Sequence, residues 1–344
     1  MNFTPVETKV LNRVQKDFPV VPDPLCAMAE ELSIPEHDFL GAVRDLKQRG
    51  IVRNISGIFN ADRLGYVTTL VAFSVEDRDI ERAAMAINAH PGVSHNYQRD
   101  HHYNIWFTLA AESESRLEQT VKRLAEQTSA SDYIILRNEK LLKIGLMLSI
   151  GDEEHQGHGP SRGNGHGKSP VPRPLSEDER ESVRILQKDL PLERNPFAIL
   201  LETNTSAIGL DGLMTIFKRL KDDHILRRYA AVLRHREAGY TANAMTVWKP
   251  RSGSDIDRIA RIFHDSQQIS HLYLRTLHPG RWEYPLFAMI HARTDEALDG
   301  IIKDLSGKSG IDDYQVLRSL KEFKKERVVY YSPRFDEWEK KAGL

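Results

Sequence analysis

The chain contains the same sequence plan twice. VQKDFPV at 14–20 returns as ILQKDLPL at 185–192, and IVRNISGIFNADRLGY at 51–66 aligns without a gap to ILRRYAAVLRHREAGY at 225–240. VSHNYQR at 93–99 returns as ISHLYLR at 269–275, and SDYIILR at 131–137 as DDYQVLR at 312–318. Four matches in one order mean a duplication, so the chain folds as two related units and not around one undivided core. Between them, residues 151–174 hold six Gly, four Pro and one aliphatic residue, too little apolar surface to fold. This segment reads as a flexible linker, and His155, His158 and His166 within it read as solvated tether, not as a metal site.

Each half follows one pattern. Residues 4–17, 23–32 and 35–49 carry apolar positions at helical spacing, with Pro24 and Pro35 near helix starts where a missing N–H costs little. GIVRNISGIFN then reads as a small β-hairpin, a wing, with Gly57 near its turn. Strand 66–75, helix 78–89, strands 93–99 and 103–111, helix 113–127 and strand 131–138 follow. That order is βαββαβ, the ferredoxin-like motif, placed after a winged helix-turn-helix. The second half repeats it with helices at 176–189, 195–202 and 210–222, a wing at 225–237, strand 240–248, helix 254–265, strands 269–275 and 283–292, helix 294–305 and strand 313–318. The fold class is α+β, with winged helix-turn-helix units at 1–64 and 175–238 and ferredoxin-like domains at 65–150 and 239–334. Two such sheets are expected to pack bare face to bare face, as a pseudo-dimer with a shared interface pocket.

The helix-turn-helix order suggests DNA, but charge argues against it. Lys plus Arg number 48 against 49 acids, and residues 1–150 hold 17 basic and 20 acidic side chains, so no bulk attraction to phosphate exists. The third helix begins Pro35, Glu36, His37, Asp38, placing acids where a recognition helix meets the backbone of DNA. Its copy presents Ile208, Leu210, Leu213, Met214 and Ile216, which suit packing better than base reading. Cys26, the single cysteine, excludes intramolecular disulfides and CxxC sites, and in LCAMA it reads as a core residue. No leader pattern and no run of about 18 apolar residues is present, so a cytoplasmic protein without a membrane partner is expected.

The chemistry gathers in two hairpins. In His95-Asn96-Tyr97-Gln98-Arg99, period-2 geometry puts His95, Tyr97 and Arg99 on one face, followed by a turn with His101 and His102 and then Tyr103, Asn104 and Trp106. Continued alternation places Trp106 on the face opposite His95. The second hairpin repeats His271, Tyr273 and Arg275, then has a longer loop with His278, and then Trp282, Tyr284 and Pro285 in place of Asn104. The architecture resembles the Lrp/AsnC transcription factors, and the paired HxYxR hairpins look like the siroheme decarboxylases, with both subunit types fused. That resemblance covers nearly all the chain except 151–174.

The resemblance implies a carboxy-lyase that removes CO2 from acetate side chains on two pyrrole rings of siroheme, giving didecarboxysiroheme for alternative haem or haem d1 synthesis. It implies no added cofactor, since the iron is carried by the substrate. Such chemistry asks for carboxylate clamps, an apolar slot and a placed acid. Arg53, Arg99, Arg227, Arg228 and Arg275 are the candidate clamps, because a guanidinium fork fits a carboxylate. His101, His95 and His271 are the candidate acids, and any of them could instead bind the substrate iron. His102 and His278, in the turns, are weaker histidine candidates, while Tyr97, Tyr103, Tyr273, Tyr284 and Trp282 are candidates for stacking or hydrogen bonding to the macrocycle, ahead of Trp106. A DNA-binding regulator and a haem-responsive sensor are the alternatives. A higher homo-oligomer of the pseudo-dimer is left open.

Overall fold

In the computed structural model, residues 3–144, 173–233 and 242–344 are described. The expected linker, apart from Arg173 and Pro174, lies outside the described residues, as do the ends of the second wing and the start of the strand expected at 240. The first half opens with α1 (Pro5–Val14), α2 (Pro24–Glu31) and α3 (Glu36–Gln48), and the second with α6 (Glu177–Leu186), α7 (Pro196–Thr203) and α8 (Leu210–Asp222). Thr4 with Glu7, and Ser176 with Glu179, form capping boxes that satisfy the first N–H groups of α1 and α6.

Among the described residues the wings are single strands, not hairpins. β1 (Val52–Phe59) is one uninterrupted strand and pairs antiparallel with β6 (Leu226–Leu233), its own copy, from Val52 opposite Leu233 to Phe59 opposite Leu226. The physical reason is that each strand finds in the other an antiparallel partner for much of its backbone, while outward-facing N–H groups are taken up by the QKD aspartates. Gly57 therefore lies mid-strand opposite Tyr229, where an added Cβ would sit 2.7 Å from the Phe59 ring and 3.0 Å from Leu226. Gly57→Val is expected to cost about 1–3 kcal/mol by overpacking. Urea unfolding would measure it, and an unchanged midpoint would show that the ribbon has room.

The repeated QKD sequence clasps the halves. Asp17 accepts the Tyr229 N–H at 2.8 Å and Asp189 accepts the Ile55 N–H at 2.9 Å, each from the other half's wing strand. Lys221 pairs with Asp17 at 2.7 Å and Lys47 with Asp189 at 2.6 Å. One apolar cluster runs through both helical units, including Phe18, Phe39, Phe197, Phe217 and Tyr229. The first turn of α3 is also covered, since Glu36 holds Arg194 at 2.7 Å and Asp23 accepts the Asn195 N–H at 3.1 Å. The two helix-turn-helix units thus spend their wings and part of a recognition helix on each other.

The remaining strands are β2 (Val67–Ser74), β3 (Val93–Arg99), β4 (Ile105–Ala111), β5 (Asp132–Ile144), β7 (Ala242–Trp248), β8 (Ile269–Arg275), β9 (Leu286–Ala292) and β10 (Tyr314–Lys325). They do not form two sheets stacked face to face but one closed barrel, ordered β10-β3-β4-β2-β5-β8-β9-β7. Closure comes from β5 and β10, which run past the expected ends at 138 and 318. β5 pairs with β2 up to Arg137 and then with β8 from Asn138, while β10 pairs with β7 up to Arg318 and then with β3 from Ser319. Closing the barrel removes four free sheet edges. Helices α4 (Ile80–Asn88) and α5 (Glu114–Thr128) cover one outer face, and α9 (Ile256–Asp265) and α10 (Asp295–Ser309) the other. Leu70, Trp106, Leu136, Val247, Phe287 and Leu317 fill the interior. An unexpected α11 (Arg334–Ala342), beyond the boundary read at 334, returns to the first half and seats Trp338 in its outer core. No helix among the described residues is long and apolar enough to cross a membrane.

Candidate functional site

On β3 the side chain of Asn96 turns outward to α4, donating to Asn88 at 2.9 Å, which sends His95, Tyr97 and Arg99 to the barrel side. These three form a column. The rings of His95 and Tyr97 stack at 6.4 Å, and the Arg99 guanidinium lies 5.3 Å from the Tyr97 ring. β8 builds the same column, with His271 and Tyr273 at 6.3 Å and Arg275 at 4.6 Å from the Tyr273 ring. Ser94 and Ser270 orient the two imidazoles, their hydroxyls 3.0 Å from His95 Nδ1 and 2.8 Å from His271 Nδ1.

Both arginines are buried, Arg99 at 5 % and Arg275 at 8 % exposure. Arg99 Nη1 donates to the Leu317 carbonyl at 2.7 Å and to Ser319 at 3.1 Å, and Arg275 Nη1 to the Leu136 carbonyl at 2.8 Å. Those carbonyls flank the points where β10 and β5 cross between sheets, so each arginine holds the other half's strand. Neither Nε has a partner, and no acid among the described residues comes within ion-pair distance of either group. Burial lowers both to about 10, the mark of cations kept in a dry site without a counter-charge.

The columns open toward the wing ribbon. Arg53 donates to the Lys325 carbonyl at 3.0 Å beside His95, and Arg327 donates to Ser56 at 3.1 Å. Surrounding protein, with Arg53 and Arg228 adding their charge, lowers Arg327 to about 10 although its side chain still meets water. Tyr330 is pushed up to about 12 by burial, and Arg227 acts on Tyr330, on Tyr273 and on Asp62. Arg228, Arg327 and Asp62 are exposed, and Arg53, Arg227, Arg228 and Arg327 lie close enough to the columns and to one another to act on them electrostatically. Arg327, Lys325 and Tyr330 have no counterpart among the sequence candidates, because the apolar pattern fades after 318. The apolar run VVYY directly after Arg327 was the available signal.

His101 is elsewhere. It lies 5.5 Å from Trp282 and 6.3 Å from Trp106, and its Nδ1 accepts the Tyr103 N–H at 2.9 Å. Burial, and then the charge of His102, lower its pKa, while a hydrogen bond with Gln315 opposes this. His95 lies opposite Lys325, and His101 stands six residues further on, past the end of β3, roughly 15–20 Å away at strand rise. One substrate carbon cannot use both. Trp106 sits directly opposite Tyr97 and shares its face, against the alternation argument, because the turn at 100–104 resets the count. Tyr103 gives its hydroxyl to Asp132 at 2.7 Å and Tyr284 to Asp313 at 3.0 Å, matching scaffold bonds in the two halves. Trp282 is 2 % exposed and donates to the Tyr284 carbonyl at 2.8 Å. His102 is exposed, and His278 Nε2 is engaged with the Ile135 carbonyl at 2.8 Å. Cys26 is half-buried, not core, and desolvation with nearby acids raises its thiol, which leaves it a poor nucleophile. Among the described residues no group of three His, Cys, Asp or Glu could hold a metal ion.

A family profile described as an AsnC-like ligand binding domain matches residues 63–143 and 237–324, and one described as a siroheme decarboxylase NirDL-like HTH domain matches 7–53. A siroheme decarboxylase of Hydrogenobacter thermophilus is 38 % identical over 96 % of this chain and 96 % of its own length. The chain belongs to the siroheme decarboxylase family. Within that family the chain matches both subunit types. A β subunit from Oleidesulfovibrio alaskensis is 34 % identical over 46 % of this chain and 98 % of its own, and an α subunit from Desulfovibrio desulfuricans is 34 % identical over 40 % and 80 %. The crystallised siroheme decarboxylase NirDL in complex with an iron-uroporphyrin III analogue is 32 % identical, with 98 % of both chains covered and a TM-score of 0.78.

Proposed function

We propose that the wing ribbon and the barrel form between them a chamber that binds siroheme, and that the chain removes CO2 from two of its pyrrole acetate groups to give didecarboxysiroheme, as a carboxy-lyase of alternative haem or haem d1 synthesis. The observation that carries this reading is the arginine set. Arg53, Arg99, Arg227, Arg228, Arg275 and Arg327 gather around two His-Tyr columns, and among the described residues none forms an ion pair. Each charge-assisted bond to a carboxylate contributes about 1.5–3 kcal/mol, so a polyanionic tetrapyrrole is held by several at once.

The reaction breaks the bond between the acetate methylene and its carboxylate. The electron pair stays on the methylene carbon, where the conjugated ring spreads it, CO2 leaves, and one proton is added to give a methyl group. No further cofactor is required, and the iron arrives with the substrate. His95 is held neutral by burial and by Lys325 and Arg53, at about 4, so it suits a bond to iron better than proton donation. His271, on the matching column, is the better placed acid, and His101 packs against Trp106 and Trp282.

Anaerobic incubation with siroheme followed by mass analysis tests the reading, which expects loss of one and then two CO2. An unchanged mass would overturn it. A bound-tetrapyrrole spectrum with no turnover would instead favour the haem-responsive sensor. A DNA-binding regulator finds less support, since β1 and β6 pair with each other.

A further inference from the structure

The two columns match in shape but differ in what stands behind the histidine. Ser270, 3 % exposed, has its hydroxyl 2.8 Å from His271 Nδ1 and 2.7 Å from His291 Nε2. The next nearest acceptor, the Met289 carbonyl, is at 3.5 Å, too long to compete. A serine hydroxyl carries one proton and two lone pairs, so between two imidazoles it donates to one while accepting from the other. His291 lies on β9 and is only partly buried, which gives the chain of groups an end near water.

The first half stops short of this. Ser94 meets His95 at 3.0 Å, but the position equivalent to His291 is Ala110. The equivalence is set by the backbone, since the Ala110 N–H bonds the Gly92 carbonyl just as the His291 N–H bonds the Gln268 carbonyl, both at 2.9 Å.

We infer that Ser270 and His291 form a proton relay that backs His271, replacing at Nδ1 the proton it gives from Nε2, so that the second half supplies the proton for decarboxylation and the first half does not. The inference rests on the siroheme reading. When the carbon–carbon bond breaks, His271 Nε2–H gives its proton to the methylene carbon, and the Ser270 hydroxyl proton moves to His271 Nδ1. Ser270 takes the Nε2 proton of a doubly protonated His291, which ends neutral; after product leaves, water returns one proton to His271 Nε2, and the Nδ1 proton passes back through Ser270 to His291, restoring the starting state. One proton is consumed for each CO2 released, and nothing is oxidised or reduced. Ser270 and His291 are positioning residues, acting on substrate only through His271.

The test compares His291→Ala, Ser270→Ala and Ser270→Thr with the unaltered chain. His291→Ala and Ser270→Ala are expected to lower kcat roughly 10- to 100-fold with KM within about twofold, and to change the pH dependence of kcat. Ser270→Thr, which keeps the hydroxyl, retains most of the rate, and added imidazole partly restores His291→Ala. On the substrate-free protein, nitrogen-15 NMR of the histidine rings should show the His271 tautomer balance altered in both alanine variants. Unchanged kcat and pH profile in both, or unchanged His271 ring signals in both, would overturn the relay. If the unaltered chain releases no CO2 the siroheme reading falls, and the ring signals alone then decide whether the three groups are coupled.

Discussion

Replacing Arg99 or Arg275 with methionine is expected to weaken siroheme binding by about 10- to 150-fold while changing the stability of the substrate-free protein by less than about 1 kcal/mol. Methionine keeps most of the apolar stem, so the packing between the columns survives. Two opposing changes then meet in the free protein. The Leu317 or Leu136 carbonyl loses its donor, which costs about 1–3 kcal/mol. Against that, a buried cation without a counter-charge disappears. Its depression from 12.5 to about 10 corresponds to a burden on the order of 3 kcal/mol at 1.36 kcal/mol per unit. The two terms nearly cancel, and only the lost contact to a substrate carboxylate is left uncompensated. Titration with siroheme beside urea unfolding of the free protein measures both. A fall of several kcal/mol in stability with unchanged affinity would make the arginines pins between the halves and not clamps.

The βαββαβ order and the HxYxR face were legible because each depends on short-range periodicity within one half. β3 and β8 lie at the expected bounds, and most helices fall within two or three residues of theirs. What escaped was every feature in which one half completes the other. Nothing local in IVRNISGIF says that its partner is its own copy 170-odd residues on, and the hairpin reading followed from a glycine that packing explains better. Charged stretches such as KEFKK look like surface tails, yet here they are strand, because β10 crosses to β3 with its polar side chains on the open side. The same blindness hid Arg327 and Tyr330, which only the crossing carries to the chamber. His101 was read at the turn beyond the His95 face, and the extended strand keeps these two candidate acids roughly 15–20 Å apart.

Acid is expected to unfold this protein earlier than its carboxylates alone would dictate, and His90 and His95 are the reason. His90 is 2 % exposed, its Nδ1 accepts the Gly92 N–H at 3.0 Å, and its ring lies 4.3 Å from that of Trp338. Burial, with Lys324 adding repulsion, lowers it to about 3, and His95 is lowered to about 4. The unfolded chain binds these two protons near pH 6.5, well before the folded chain does. Their contribution is therefore complete above pH 6.5 and is lost progressively as pH falls from 6.5 toward 4 and 3. By pH 5 each has removed about 2 kcal/mol, at 1.36 kcal/mol per unit over roughly 1.5 units, against a total domain stability of about 5–15 kcal/mol. Paired acids such as Glu179, held near 2 by Arg173, titrate too low to share that window. His90→Asn separates the terms, because the asparagine oxygen can accept the same backbone N–H but carries no titrating group. The variant should start less stable at pH 7 through lost contact with Trp338, and then lose about 2 kcal/mol less than the unaltered chain between pH 7 and 5. Equal losses in both, read from urea midpoints, would mean that His90 is already charged in the folded protein or that its surroundings admit water freely.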